Sequence, residues 1–305
     1  MKHKMLKKFI ALSFLLSLGV NVNFAHGKHE NQTQDVTVKT VNVADKIFML
    51  QGRGGNVGVS AGADGILIVD DDYAQVTPKI AEALKVLGSD KPRFIFNTHW
   101  HGDHTQGNNF FGKDSIIIAH TNVRQRLATE TIFRGEKFIP YPKFALPMIT
   151  FDQSTRIHFN DEEILAVHYP NGHTDGDAVI FFTKAKVVHL GDHYMTNRFP
   201  FIDMESGGTL AGLTKNIGDI IAKLPADVKI IPGHGTLATL ADLKNYHRML
   251  LETTDLIQKG IIAGKTLEGL KKDGFPAKYQ MWGTGFIKTD GWIETVYKSL
   301  AADRK

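Results

Sequence analysis

Residues 98–104 read Thr98-His99-Trp100-His101-Gly102-Asp103-His104, directly after the strand-like run 93–97. His at i and i+2, Asp at i+4 and His at i+5 put four metal-binding donors into one loop at a strand end. In a tight loop His99 and His101 point one way, while Asp103 and His104 serve an adjacent position. Neutral imidazole and carboxylate are the donors zinc takes where sulfur is absent. This chain has no cysteine, which also excludes disulfides and thiolate nucleophiles.

Three further loops carry donors. His173 lies in Asn171-Gly172-His173-Thr174-Asp175-Gly176-Asp177, Asp192 in His189-Leu190-Gly191-Asp192, and His234 in Pro232-Gly233-His234-Gly235. Each ends a strand-like run beside a glycine, which permits close backbone approach. Four such loops predict one shared metal site.

Working outward, runs 36–43, 46–51, 56–61 and 65–69 alternate with turn residues and read as a meander. Residues 75–87 place Val76, Ile80, Ala83, Leu84 and Leu87 at helical spacing. A buried strand is expected over 115–119 and a helix over 121–131. Residues 133–149 carry three prolines and no clear period, so they read as a long loop or flap, with Phe138, Tyr141 and Phe144 available to cover a partly apolar substrate. A second strand-rich stretch spans 150–191. An amphipathic helix follows over 209–224, then a strand over 228–231 and a helix over 240–258, with a mostly helical C-terminus (259–305). The order repeats without a linker. It predicts one domain over 28–305, with two sheets inside two helical layers.

Composition agrees with a globular chain: 305 residues, 42% hydrophobic and 22% charged. Residues 1–27 start with four lysines, continue through an apolar core over 9–20, and end in Ala25 and Gly27. That order predicts a cleaved secretory signal peptide and a periplasmic or secreted protein. Those residues carry no acid, so the remainder balances at 32 basic against 32 acidic residues. The apparent basicity therefore gives no support for a nucleic-acid partner. No 18-residue apolar stretch and no lipidatable cysteine occur, so no stable membrane anchor is expected.

Taken together, the four loops resemble those of the metallo-β-lactamase superfamily, over about residues 40–258. The resemblance implies an α/β protein with a four-layer αβ/βα sandwich and the site at one edge. It implies a first metal held by His99, His101 and His173, a second held by Asp103, His104 and His234, and the Asp192 carboxylate bridging them, hence two zinc ions. Asp70, at the end of an apolar strand, would support the His loop from behind. Asp103 would orient the attacking water and shuttle its proton. The implied activity is hydrolysis of a small molecule, by opening a cyclic amide or ester such as a β-lactam or a lactone. A thioester or other ester is the alternative bond, and a periplasmic metal-binding module is the non-enzyme alternative.

The resemblance is not uniform across that superfamily. The β-lactamase group with a cysteine ligand does not match. A bridging Asp is typical of lactonases, thioesterases and nucleases in the wider family, so the substrate stays open. The redox di-iron relatives usually replace the second His of the loop by an acid, whereas this chain keeps His101.

Other polar residues read differently. His193 should face away from its neighbour Asp192, toward supporting groups or the surface. His189 reads as a satisfied core histidine, and His120, His158, His168 and His247 as structural. Asp175 and Asp177 suit a turn, and Trp100 suits packing. Tyr194, two residues past Asp192, either points at substrate or packs, the former if the chain stays extended.

Overall fold

Strands β1 (Lys39–Ala44), β2 (Ile47–Gln51), β3 (Val57–Gly62) and β4 (Gly65–Val69) run as an antiparallel meander in a computed structural model that describes residues 37–302. The expected signal peptide and the polar stretch 28–35 lie outside the described residues. Helix α1 (Thr77–Val86) then crosses to β5 (Phe94–Phe96), and the short helices α2 (Gly102–Thr105) and α3 (Asn108–Phe111) lead to β6 (Ile116–His120). After α4 (Thr121–Leu127) comes the hairpin β7 (Thr131–Phe133) and β8 (Glu136–Phe138), then β9 (Ile149–Phe151). The first sheet has the order β1-β2-β3-β4-β5-β6-β9, and β4, β5, β6 and β9 are parallel.

The second half repeats the plan. Strands β10 (Ser154–Phe159), β11 (Glu162–His168), β12 (Ala178–Phe182) and β13 (Val187–His189) precede α5 (Leu210–Lys223), and β14 (Lys229–Ile231) and β15 (Ala238–Thr239) complete the second sheet in sequential order. Helices α6 (Leu240–Ile262), α7 (Leu267–Asp273) and α8 (Thr289–Ala302) follow.

The apolar runs explain the layering. In β4, Leu67 and Val69 face β12 across the sheet-to-sheet core, while Ile66 and Ile68 pack beneath α1 with Ile80 and Leu84. In the second sheet Ile180 and Phe182 join that same inner core, whereas Val179 and Val188 face α5 and α6. A strand buried on both faces must be apolar at every position, and each such side chain contributes about 1.5–3 kcal/mol. The result is helix, sheet, sheet, helix: an α/β four-layer αβ/βα sandwich. Local signals reinforce it. Thr209 caps α5 by accepting from Gly212 N, and Thr239 with Asp242 forms a capping box on α6. No helix among the described residues is long and apolar enough to cross a membrane.

Two expectations need correction. The helix expected over 121–131 ends at Leu127, and the expected flap contains an ordered hairpin. Its two-residue turn is Arg134-Gly135, with φ of +53° and +82°, so an arginine occupies a left-handed position usually given to Asn, Asp or Gly. Aromatic packing holds it: Phe133 and Phe138 lie 4.7 and 5.5 Å from the Trp100 ring.

Candidate metal centre

The donor-bearing loops project from one edge of both sheets, and backbone hydrogen bonds stitch them together. Gly55 N donates to Asp103 O (2.9 Å), and Asn56 N donates to Gly233 O (2.7 Å). Two glycines make this approach workable. A Cβ on Gly55 would sit 2.3 Å from the His104 ring, and one on Gly233 would sit 2.0 Å from Asp192 Oδ1.

Asp70 pins the His loop. It follows β4 at φ +62°, a left-handed conformation that costs a non-glycine residue about 1–3 kcal/mol. Its carboxylate offsets that cost by accepting from Thr98 N (2.7 Å), Thr98 Oγ1 (2.8 Å) and His104 Nδ1 (2.7 Å). The three consecutive acids thus divide. Asp70 supports His104. Asp72 accepts from Gly54 N and Arg53 N. Asp71 donates its backbone N–H to His104 O (3.1 Å) while its carboxylate is fully buried, and burial, then the charge of Asp70, pushes it well above the usual carboxylate range.

Hydrogen bonds on the outer ring nitrogens fix which atoms face inward. His173 Nδ1–H donates to Phe201 O (2.7 Å), so Nε2 carries the inward lone pair. His101 Nε2–H donates to Asp203 Oδ2 (2.9 Å), so Nδ1 faces inward. His104 gives Nδ1 to Asp70, and His99 Nδ1 lies 3.1 Å from Thr98 Oγ1. The inward atoms of His99, His101 and His173 lie within 4.8 Å of one another, as do those of Asp103, His104 and His234. A third grouping, His99, His104 and Asp192, connects the two. Asp192 Oδ1 lies 3.2 Å from His104 Nε2 and 3.4 Å from His234 Nε2, and its Oδ2 lies 3.6 Å from His173 Nε2.

These residues fit a metal. His173 Nε2 and His101 Nδ1 stand 2.9 Å apart with their protons committed elsewhere, so two lone pairs converge with nothing between them. His99 Nε2 and Asp192 Oδ1 are buried and accept no hydrogen bond, a costly state that a cation relieves. The charges agree. Burial holds His99 well below the ordinary histidine range and brings His173 down to about 4, so both are neutral ligands at pH 7. Burial opposes charge on His234 too, but Asp192 and Asp103 outweigh it and raise it to about 9. That pocket of negative charge attracts a cation, and a metal would displace the protons.

The cluster forms the floor of a cavity of about 590 Å³, walled by Trp100, Phe133, Phe138 and Phe201. Asp103 reaches it, with its side chain 22% exposed. Tyr194 does not reach it, which corrects the substrate-contact expectation. Gly191–His193 wind into a 3-10 turn, so strand alternation lapses and the Tyr194 ring packs on Tyr246 at 5.0 Å inside the core. His193 is buried rather than at the surface, with Nε2 3.2 Å from Asn216 Nδ2. His189 is a satisfied core histidine, 3.0 Å from Asn56 O. Asp175 pairs bidentately with Arg126, and Asp177 accepts from Thr174. Sequence reasoning missed Asp203 and the Phe201 carbonyl, the groups that orient His101 and His173. No spacing signal marks them, since Asp203 stands 102 positions from His101.

The family model of the metallo-beta-lactamase superfamily matches residues 53–234. No curated protein matches the chain. Among solved structures, the stereoselective inverting sec-alkylsulfatase Pisa1 from Pseudomonas sp. aligns with a TM-score of 0.62, and a double mutant of PisA1 with 0.68, both at 13% identity. These alignments cover 86% of this chain, which spans about half (50%) of the sulfatase's length. A metallo-beta-lactamase from Pontibacter korlensis aligns with a TM-score of 0.59 at 14% identity, over 70% of this chain and 99% of that one. The DIM-1 metallo-beta-lactamase gives 0.58 at 18% identity, over 72% and 99%. At such identities these structures share the fold. The family match covers more than half of the chain, which therefore belongs to the metallo-β-lactamase superfamily.

Proposed function

Starting from a metal-dependent hydrolase of the metallo-β-lactamase superfamily, we propose that this protein is an exported two-zinc enzyme that opens a cyclic amide or ester bond, a β-lactam or a lactone, in a small molecule. The observation that carries the reading is the position of Asp192. One oxygen lies toward His104 and His234 and the other toward His173, which suits a carboxylate shared by two ions. His99, His101 and His173 would hold one zinc, and Asp103, His104 and His234 the other. Zinc held there would supply Lewis acidity and lower the pKa of water toward about 7.

The chain's own groups do the rest. Asp103 is the proton carrier. Burial alone would raise it, yet His104 and His234 bring its carboxyl down to about 2, so it is ionised at neutral pH and able to orient a water by accepting a hydrogen bond from it. Asp203 and the Phe201 carbonyl hold His101 and His173 in register. Trp100, Phe133 and Phe138 form an apolar wall that excludes bulk water from the substrate. Export is supported by the basic, apolar and small-residue order of residues 1–27.

The test is a hydrolysis screen of the zinc-loaded protein over β-lactams, lactones, thioesters, phosphodiesters and alkyl sulfates. The last arm is suggested by the sulfatase's name. The reading expects turnover of a lactam or lactone that chelator abolishes and zinc restores. Zinc binding without turnover of any substrate would favour a metal-binding module instead.

A further inference from the structure

Helix α4 carries no metal donor, yet two of its side chains reach the loop that presents His173. Arg126 Nε donates to Asp175 Oδ1 (2.8 Å), Arg126 Nη2 donates to Asp175 Oδ2 (2.7 Å), and Asn122 Nδ2 donates to Asp175 O (2.9 Å). A guanidinium fork on a carboxylate fixes its partner in direction as well as distance. The same guanidinium lies 5.7 Å from the Trp100 ring, and Trp100 stands between His99 and His101 in the chain. One arginine therefore touches both loops that supply the three histidines of the proposed first metal position.

Asp175 passes the constraint on. Its N–H donates to Ser206 O (2.9 Å), Ser206 N donates to Asp203 Oδ1 (3.1 Å), and Asp203 N donates to His173 O (3.0 Å). Asp203 Oδ2 is also the acceptor that orients His101. The approach is close: Gly207 sits at φ +79°, and a Cβ there would come within 2.9 Å of Asp175 Cβ. The charge acts in the same direction. Hydrogen bonds to Asp175 hold the Arg126 guanidinium above its ordinary range, and Asp203 adds to the effect. On the Trp100 side the contacts continue into the hairpin, where Phe133 stacks on the His101 ring at 5.1 Å.

Stability alone is a weak reason for this pair. Both side chains are 27% exposed, and an ion pair open to solvent contributes little to folding. Its reach is also one-sided. No side-chain hydrogen bond, ion pair or ring contact of Arg126 among the described residues goes to Asp103, His104 or His234, whose support comes from Asp70.

We propose that Arg126 is a positioning residue for the His99, His101 and His173 metal position alone. Through Asp175 it holds the His173 loop, and through Trp100 it holds the loop of His99 and His101, so the three imidazoles keep their spacing. The Asp103, His104 and His234 position does not depend on it. This rests on the two-metal part of the reading above and not on which bond is hydrolysed.

The test is zinc affinity, by competition with a chromogenic chelator, in two backgrounds of the full chain. His234→Ala keeps the first position, and His101→Ala keeps the second. R126Q should weaken zinc binding by about tenfold in the first background and leave it unchanged in the second. D175N breaks the pair from the other side and should do the same, and the two substitutions together should cost no more than either alone. R126K, which keeps the charge and loses the fork, should recover part of the affinity. Denaturant midpoints of the metal-free variants should stay close to that of the parent, because the pair is solvated. Equal weakening in both backgrounds, or in neither, overturns the proposal. So does a lowered midpoint with zinc affinity intact, which is the mark of a merely structural ion pair. Far-UV spectra confirm folding, and D175N carries the test if R126Q misfolds. Fully loaded wild type that turns over no ester or amide would remove the hydrolase reading and leave these affinities to decide the role of Arg126. A His234→Ala protein that binds no zinc would overturn the proposal together with the two-metal reading.

Discussion

Asp70 Oδ2 lies 2.7 Å from His104 Nδ1, and both side chains are fully buried. One carboxylate therefore fixes the tautomer of a histidine whose other nitrogen faces Asp192. Asp70→Asn should leave His104 free to flip its ring and should weaken zinc binding at the Asp103, His104 and His234 position by about 10- to 100-fold. Competition with a chromogenic chelator measures this, and unchanged affinity at both positions would refute the supporting role.

Gly55 tests the geometry from the opposite side. An alanine there places a methyl 2.3 Å from the His104 ring, so the ring or the loop must shift. Gly55→Ala should lower occupancy at the same position while the His99, His101 and His173 position still fills. Equal zinc content in variant and wild type would show that the loop yields without consequence.

Asp103→Asn separates ligation from proton transfer. The substitution keeps the shape and loses the carboxylate. With two zinc ions confirmed bound at saturating metal, kcat should fall by about 10²- to 10⁴-fold. Wild-type turnover under those conditions would make Asp103 a spectator.

A pH effect is expected away from the metal. The His120 and His168 rings stack with centroids 3.7 Å apart. Burial, then His168, pushes His120 below the ordinary range, and burial does the same for His168, despite Asp152 and Asp175 nearby. Folded values below the unfolded one mean that the unfolded chain takes up more protons below about pH 6.5. Stability from this pair is complete above that pH and is lost as pH falls toward the depressed folded values. Protonation also removes the His120 Nδ1 acceptor that caps α4 by receiving Asn122 N, a cap typically contributing about 1 kcal/mol. Denaturant midpoints of the zinc-loaded protein should fall less steeply with acid in His168→Gln than in wild type. Parallel slopes would contradict the assignment.

What was legible in the sequence followed from repetition of a physical constraint. Ile66–Val69 and Ala178–Phe182 are apolar throughout because each strand is buried on two faces, so their class and layer could be read directly. The donors of the His loop, His173, Asp192 and His234 were legible because metal-type residues recur at strand ends beside glycine. Asp203 was not, because its partner His101 is distant in sequence and an Asp in a loop has many roles. The hairpin at 131–138 escaped because its turn is Arg134-Gly135 and its strands are three residues each, held by Trp100 rather than by their own pattern. Tyr194 misled because the 3-10 turn at Gly191–His193 breaks the alternation on which the reading depended.

Asp192 stands between the two proposed metal positions, with Oδ1 toward His104 and His234 and Oδ2 toward His173. The direct measurement is zinc stoichiometry and affinity by metal analysis and calorimetry on wild type and Asp192→Ala. Two zinc ions per chain are predicted for wild type, with both positions weakened together in the variant because each loses a ligand oxygen. A wild-type value of one under saturating zinc, or an Asp192→Ala protein that still binds two ions with unchanged affinity, would contradict it.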